Sequence, residues 1–407
     1  MIARGIVMAA SGGVLAARLP ISRIGERVEI TGTHGIVRGT VTALHRDRAT
    51  IAPHGSLDGV TVGDVVSIDP SAIVPPPGLA ALDRTIDDCS AFRATCESIA
   101  PANRRAIVQP FWTGVRAIDG LLTLGRGARV GLFGPPGAGK STLLQSLARG
   151  ARADAVVVGL VGERGREAEA WMRARPPRTA VVCATGDRSA AERVHAARVA
   201  LAQAHALRAR GLHVLVILDS LARFGNALRE VAVAAGESVG RGGYPASVFA
   251  DLARLVEIAG TTAHGSITLI ATVLSDGDER DPISDAARSL LDGHIELAAA
   301  RAQAGRFPAI DVPGSASRTA LDVIDAGHAR HARAVRGAIA ALAQTADARS
   351  LGMVPADPFA ARAVMMEEAI EGFLCQGGEP SPVAATRAEL ARLADNLLST
   401  AWISPPI

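Results

Sequence analysis

A chain of 407 residues, 48% hydrophobic and 20% charged with a net charge of only +3, can bury the cores of two or three domains. It is too apolar and too balanced in charge for a disordered protein. Aromatic residues make up only 3%, with a single tyrosine, so a surface that stacks aromatics on RNA bases is not expected.

The first twenty residues, "MIARGIVMAASGGVLAARLP", hold a short apolar stretch broken by Gly and Ser. They read as strands rather than as a signal peptide. "RVEITG", "GIVRGTVTAL", "RATIAP" and "VVSIDP" carry β-branched residues in near alternation. Short strands at even spacing predict a small barrel or sandwich over residues 1–75. A linker is expected over 76–105, stiffened at its start by "IVPPPG". From 106 to 325 apolar strands alternate with amphipathic helices, the pattern of a parallel sheet covered by helices. "ARVGLF" (128–133), "AVVVGLV" (155–161), "LHVLVILD" (212–219) and "SITLIATVL" (266–274) are its strands. "KSTLLQSLARG" (140–150) and the long run 189–211, with Ser189 as cap, are helices. Residues 326–407 are Ala-rich and helical, broken at "MVPADP" and "GGEPSP". No run reaches the eighteen or so apolar residues of a membrane span. The four cysteines, Cys89, Cys96, Cys183 and Cys375, form no CxxC pair. They suggest neither zinc nor a disulfide framework, and they fit a reducing compartment.

"GPPGAGKS" (134–141) matches G-x-x-x-x-G-K-[ST] with a strand before it and a helix after it. The segment Gly134, Pro135, Pro136, Gly137, Ala138, Gly139, Lys140, Ser141, Thr142 is therefore expected to bind nucleotide phosphates. Pro135 and Pro136 have no N–H, so the cradle of amides starts at Gly137. Lys140 is expected to reach the β- and γ-phosphates of ATP, and Ser141 to ligate Mg²⁺. "LHVLVILDS" is an apolar strand ending in a carboxylate, so Asp219 is expected to hold Mg²⁺ through a bound water. Asp219 is equally placed to cap the helix that "DS" opens, and one carboxylate can do both. "GERGRE" (162–167) follows the strand "AVVVGLV", at the carboxyl edge where ligands bind in such sheets. Glu163 there suits the orientation of an attacking water. A surface ion-pair cluster, worth under about 1 kcal/mol, explains the spacing as well.

Residues 107–318 resemble the ATPases of type III protein secretion, flagellar and injectisome, which are relatives of the ATP synthase β subunit. The phrases that carry this are "TGVRAIDGLLTLGRG", the phosphate loop, "GERGRE", "DSLARFGNALREVAVAAGE", "RGGYPASVFADLARLVEIAG", "LLDGHIEL" and "FPAIDVPGSASR". The resemblance implies an α/β fold: a RecA-like P-loop NTPase core with an N-terminal small β-barrel and a C-terminal helical domain. It implies that Glu163 polarises the attacking water and that Arg164 helps to order the nucleotide site. It implies that Arg318 reaches into the neighbouring subunit's site as an arginine finger, in a homohexameric ring.

The implied function is ATP hydrolysis that energises export, releasing substrates from chaperones and unfolding them at the export gate. Implied partners are a stalk, a stator-like regulator, chaperones and export substrates, with no nucleic acid. The implied location is cytoplasmic, at the inner-membrane export apparatus and peripheral to the membrane only through it. Departures are expected as well. The family's N-terminal helical extension has no counterpart before the first strands. "SLGMVPADP" (350–358) offers Met353 and no aromatic where relatives place a tyrosine near adenine. Two other classes share this core. A termination-helicase-like translocase calls for an aromatic, basic barrel, and residues 1–70 hold no Phe, Tyr or Trp. A nucleotide-binding but non-catalytic rotary subunit calls for loss of the catalytic carboxylate, and Glu163 is present.

Overall fold

The computed structural model of the chain describes residues 4–11, 13–69, 77–92, 96, 98–274 and 281–399. Most of the "IVPPPG" stiffener lies outside them. The chain falls into two compact units. One draws on Met1–Arg104, Asp154–Val273 and Glu279–Leu290, the other on Arg105–Ala153 and Leu291–Ile407.

The first unit begins with a closed six-stranded barrel. Around it run Arg4–Ser11, Val14–Arg18, Arg48–His54, Gly35–His45, Arg27–Gly32 and Val65–Ile68, each antiparallel to its neighbours. The alternation in the sequence becomes an inside and an outside. Val7, Leu15, Val28, Ile30, Val41 and Ile51 are wholly buried and fill the interior. Closure pairs every strand and leaves no sheet edge open to other chains.

The rest of this unit is a parallel sheet in the order Ser266–Leu274, His213–Asp219, Ala155–Val161, Thr179–Ala184, Thr85–Ile86. Every residue of Ala155–Val161 and His213–Asp219 is buried. A strand covered on both faces has no solvent side, and these two therefore read as unbroken apolar runs. The short edge strand Thr85–Ile86 falls in the stretch expected as linker. Two residues carry too little periodicity to be visible in a sequence. The long helix Ala190–Arg208 packs on this sheet. Ser189 caps it with a full capping box, its hydroxyl accepting from the Glu192 amide and the Glu192 carboxylate accepting from the Ser189 amide.

In the second unit Arg129–Gly134 pairs in parallel with Gly293–Leu297, which pairs antiparallel with Ile310–Ser317. The C-terminal helices include Ala326–Gln344, Pro358–Met365, Glu367–Leu374 and Val383–Leu398, packed around Val335, Ala338, Phe373, Leu390 and Leu393. The break at "MVPADP" is a helix start. Asp357 accepts from the Ala360 amide at 2.8 Å and Pro358 opens the helix. Among the described residues no helix is long and apolar enough to cross a membrane.

Candidate active site

In the second unit, the buried strand Arg129–Gly134 delivers the chain into the phosphate loop, and the helix Lys140–Gly150 carries it away. Gly137 and Gly139 sit at φ 79° and 86°. That left-handed region costs a residue with a Cβ about 1–2 kcal/mol, and here it turns the loop back toward the helix end. The first intrahelical bond runs from the Leu143 amide to the Gly139 carbonyl, 3.0 Å. The amides of the first turn therefore lie at the positive end of the helix dipole. Ser141 and Thr142 are exposed. The Lys140 ammonium folds back on the loop and donates to the carbonyls of Gly134 (2.5 Å) and Pro135 (2.8 Å). It is thereby held over the loop it would serve.

Beside this helix is a cavity of about 310 Å³ lined by Gly139, Thr142, Leu143, Ser146, Phe307 and Gln376 among others. Phe307 is 42% exposed, and the Gln376 amide donates to its carbonyl at 2.8 Å. Where the resemblance places a tyrosine near adenine, this chain has Met353. Met353 is exposed and is not among the residues lining this cavity. The aromatic that lines the cavity is Phe307, from "FPAIDVPG", which long-range folding brings to the phosphate-loop helix. Arg318 follows the strand Ile310–Ser317, with its amide bonded to the Asp292 carbonyl at 2.9 Å and its side chain exposed.

The carboxylates belong to the first unit. Leu160 is the register partner of Asp219 on the adjacent strand, so Glu163 and Asp219 leave the sheet at the same edge. Asp219 is 9% exposed and its Oδ1 accepts from the Thr272 hydroxyl at 2.6 Å. Capping falls to the next residue, for the Ser220 hydroxyl accepts from the Arg223 amide at 3.2 Å. Asp219 is thus not the cap, and its carboxylate stays at the end of its strand.

Gly162, at φ 72°, makes the turn into Glu163. A Cβ on it would sit 3.2 Å from Arg223 Cδ and 3.4 Å from Arg193 Cδ, so the two arginine stems close over the turn. Arg223 Nη1 donates to the Gly162 carbonyl at 2.6 Å, and its Nε pairs with Glu163 Oε1 at 2.9 Å, off the hydrogen-bonding direction. Glu163 is only 5% exposed. Burial, the Glu167 carboxyl bonded to it and the Asp219 charge push its pKa up to about 9, against the pull of Arg223. Arg164 is exposed and stands at the N-terminal boundary of the helix Gly165–Arg173, its carbonyl accepting from the Glu167 amide.

Four groups escaped the sequence reading: Arg223, Glu167, Thr272 and Phe307. Arg223 lies four residues after Asp219, one helical turn from the strand end, and that spacing was the available signal. Thr272 carried none, because its partner lies on another strand.

A family profile, the ATP synthase alpha/beta family nucleotide-binding domain, matches residues 114–317. The type 3 secretion system ATPase of Pseudomonas syringae pv. tomato is 38% identical over 97% of this chain and 94% of its own length. The flagellum-specific ATP synthase of Pseudomonas aeruginosa is 37% identical over 91% and 88%. Among solved structures, the assembled ATPase EscN from the enteropathogenic E. coli type III secretion system aligns with a TM-score of 0.90 at 36% identity, covering 96% of this chain and all of that one. The same ATPase in complex with its central stalk EscO aligns with a TM-score of 0.87.

Proposed function

From the premise that this chain belongs to the family of type 3 secretion system ATPases and flagellum-specific ATP synthases, we propose that it hydrolyses ATP to drive protein export as a homohexameric ring. The observation that carries the catalytic reading is the Glu163 carboxyl. It is buried, turned out of a strand end by a left-handed glycine, and flanked by one cation and two carboxyl groups. A surface ion-pair cluster would leave it in water with an ordinary pKa.

In the proposed reaction a water attacks the γ-phosphorus of ATP, the bond to the β,γ-bridging oxygen breaks, and ADP and phosphate leave. Lys140 and the phosphate-loop amides bind the phosphate oxygens. Glu163 orients the water and takes its proton. The raised pKa favours the protonated carboxyl in the nucleotide-free protein, whereas proton transfer from the water needs the ionised form. Arg223 is the resident cation favouring that ionised form. Ser141 and Asp219 are hard oxygen donors of the kind Mg²⁺ takes, and the ion would neutralise charge on the β- and γ-phosphates. Arg164 helps to order the nucleotide site. Phe307 offers a ring face to the adenine base in the cavity beside the phosphate-loop helix.

Arg318 acts in the neighbouring subunit's site, where such a finger is worth roughly 10³–10⁵ in rate. Its exposed side chain agrees with a partner outside its own protomer. The ring would work at the cytoplasmic face of the inner-membrane export apparatus, with a central stalk, a stator-like regulator, chaperones and their cargo as partners. It would reach the membrane only through that apparatus and would use no nucleic acid.

The test is ATP turnover per protomer across a wide range of protein concentration, with Arg318→Ala and Glu163→Gln alongside. Turnover per protomer that climbs with concentration, and that collapses in both variants while nucleotide still binds, is the expected result. A flat rate indifferent to Arg318 removes the trans finger. Unchanged turnover in Glu163→Gln removes the catalytic carboxylate.

A further inference from the structure

The loop between Ala184 and Ser189 does two things at once. At one end it braces the catalytic turn: the Gly162 amide donates to the Ala184 carbonyl at 2.7 Å, and the Gly186 amide donates to the Glu163 carbonyl at 3.0 Å. At the other end the Ser189 hydroxyl donates to the Pro53 carbonyl in the barrel at 3.0 Å. The same hydroxyl accepts from the Glu192 amide, so its proton goes to the barrel and a lone pair goes to the helix cap. Between these ends Gly186, Asp187 and Arg188 are exposed. Within the loop the Arg188 amide donates to the Thr185 carbonyl at 3.0 Å, and the Arg188 carbonyl accepts from Arg193 Nε at 3.2 Å, so the segment is tied to the start of the helix as well as to its two anchors.

The barrel meets the helix behind Ser189 as well. The rings of His54 and His195 are 5.2 Å apart, and His195 Nε2 donates to the carbonyls of Cys89 and Phe92. Pro53 therefore belongs to a seated contact between barrel and helix. Gly186 is also spatially restricted, since a Cβ there would lie 3.2 Å from the Gly162 carbonyl oxygen.

We propose that Ser189 is a positioning residue for Glu163: its hydroxyl ties the loop that holds the catalytic turn to the barrel, so that the pose of the barrel sets the pose of the carboxylate. This rests on the reading of Glu163 as the catalytic carboxylate. Only Asp187 and Arg188 separate Gly186 from Ser189, so movement of the barrel rim relative to the helix is passed to the Glu163 carbonyl through one short segment. Orientation of the attacking water depends on that turn, and displacements below 1 Å are costly there. Nucleotide affinity, set at the phosphate loop, does not depend on it.

Three variants separate the roles of the hydroxyl. Ser189→Asp keeps a good capping acceptor but has no proton for Pro53. Ser189→Thr keeps both. Gly186→Ala presses on the Gly162 carbonyl without touching the barrel bond. Two readouts apply to full-length protein: amide exchange of residues 184–188 without nucleotide, and kcat and KM for ATP. In Ser189→Asp the Gly186 amide is expected to exchange about tenfold faster, the scale of one hydrogen bond lost, with the strand Ser266–Leu274 unchanged. kcat is expected to fall about tenfold in Ser189→Asp and in Gly186→Ala with KM within about twofold, and Ser189→Thr restores wild-type values. Wild-type exchange at Gly186 in Ser189→Asp overturns the proposal. Faster exchange with kcat unchanged overturns it too, since the strap then holds the loop but not the carboxylate. A fall in kcat with exchange raised throughout the chain assigns Ser189 a merely structural role and overturns it as well. If wild-type protein does not hydrolyse ATP, the catalytic reading of Glu163 fails, and with it the positioning role, while the exchange arm still reports whether the strap exists.

Discussion

Glu163→Gln should change how the stability of the nucleotide-free protein depends on pH. The folded carboxyl has its pKa raised from 4.5 to about 9 by burial, by the bonded Glu167 and by Asp219. A raised folded pKa means that the stability linked to holding the proton is fully present below about 4.5 and is lost as pH climbs toward 9. Glutamine resembles the neutral acid in shape and does not titrate. Subtracting the variant from the wild type therefore cancels most other titrations and isolates this group. The steepest possible slope is about 1.4 kcal/mol per pH unit, or ~2.7 kcal/mol between pH 6 and pH 8. The wild type is therefore expected to lose up to about 3 kcal/mol of stability relative to the variant over that interval. Urea unfolding of both proteins at pH 6 and pH 8 measures it. A wild-type-minus-variant difference that does not change between the two pH values would refute the reasoning. It would mean that Arg223 keeps the carboxyl ionised in spite of its burial.

Arg223→Ala removes the cation that opposes those effects, so the acid limb of the ATPase pH profile should move up by about one unit and kcat should fall. An unmoved acid limb with the same kcat would take Arg223 out of the site. Phe307→Ala should raise the dissociation constant for ATP about tenfold, the scale of one stacking contact, and leave kcat nearly unchanged. Titration with ATP and with a nucleotide of another base separates stacking from general loosening. Asp119→Ala strands three donors in a site where the residue is 1% exposed: the Thr113 amide (2.8 Å), the Thr113 hydroxyl (2.7 Å) and the Gly114 amide (2.9 Å). The expected loss is roughly 3 kcal/mol of stability, read as a drop in the urea midpoint, with Asp119→Asn recovering only part of it.

Local chemistry was legible in the amino-acid order wherever cause and effect lie within a few residues. The strands Ala155–Val161 and Ser266–Leu274 and the helix Lys140–Gly150 begin and end where hydrophobic runs meet glycine and charge. The phosphate loop announces itself because its glycines, lysine and helix start are contiguous, and the Ser189 cap does so because serine and glutamate stand three apart. The barrel was visible as alternation, since one face of each strand must be dry.

What the sequence could not contain is which distant groups share a small volume. Thr272 bonds Asp219 from another strand, Phe307 reaches the phosphate-loop helix from far along the chain, and Ser189 bonds a carbonyl in the barrel. The charge state of Glu163 is of the same kind. "GERGRE" reads the same whether its glutamate is solvated or buried, and an exposed cluster was an equally good account of the spacing. Burial and two neighbouring carboxyl groups decide its pKa, and only the packing of the Gly162 turn under Arg193 and Arg223 brings them about.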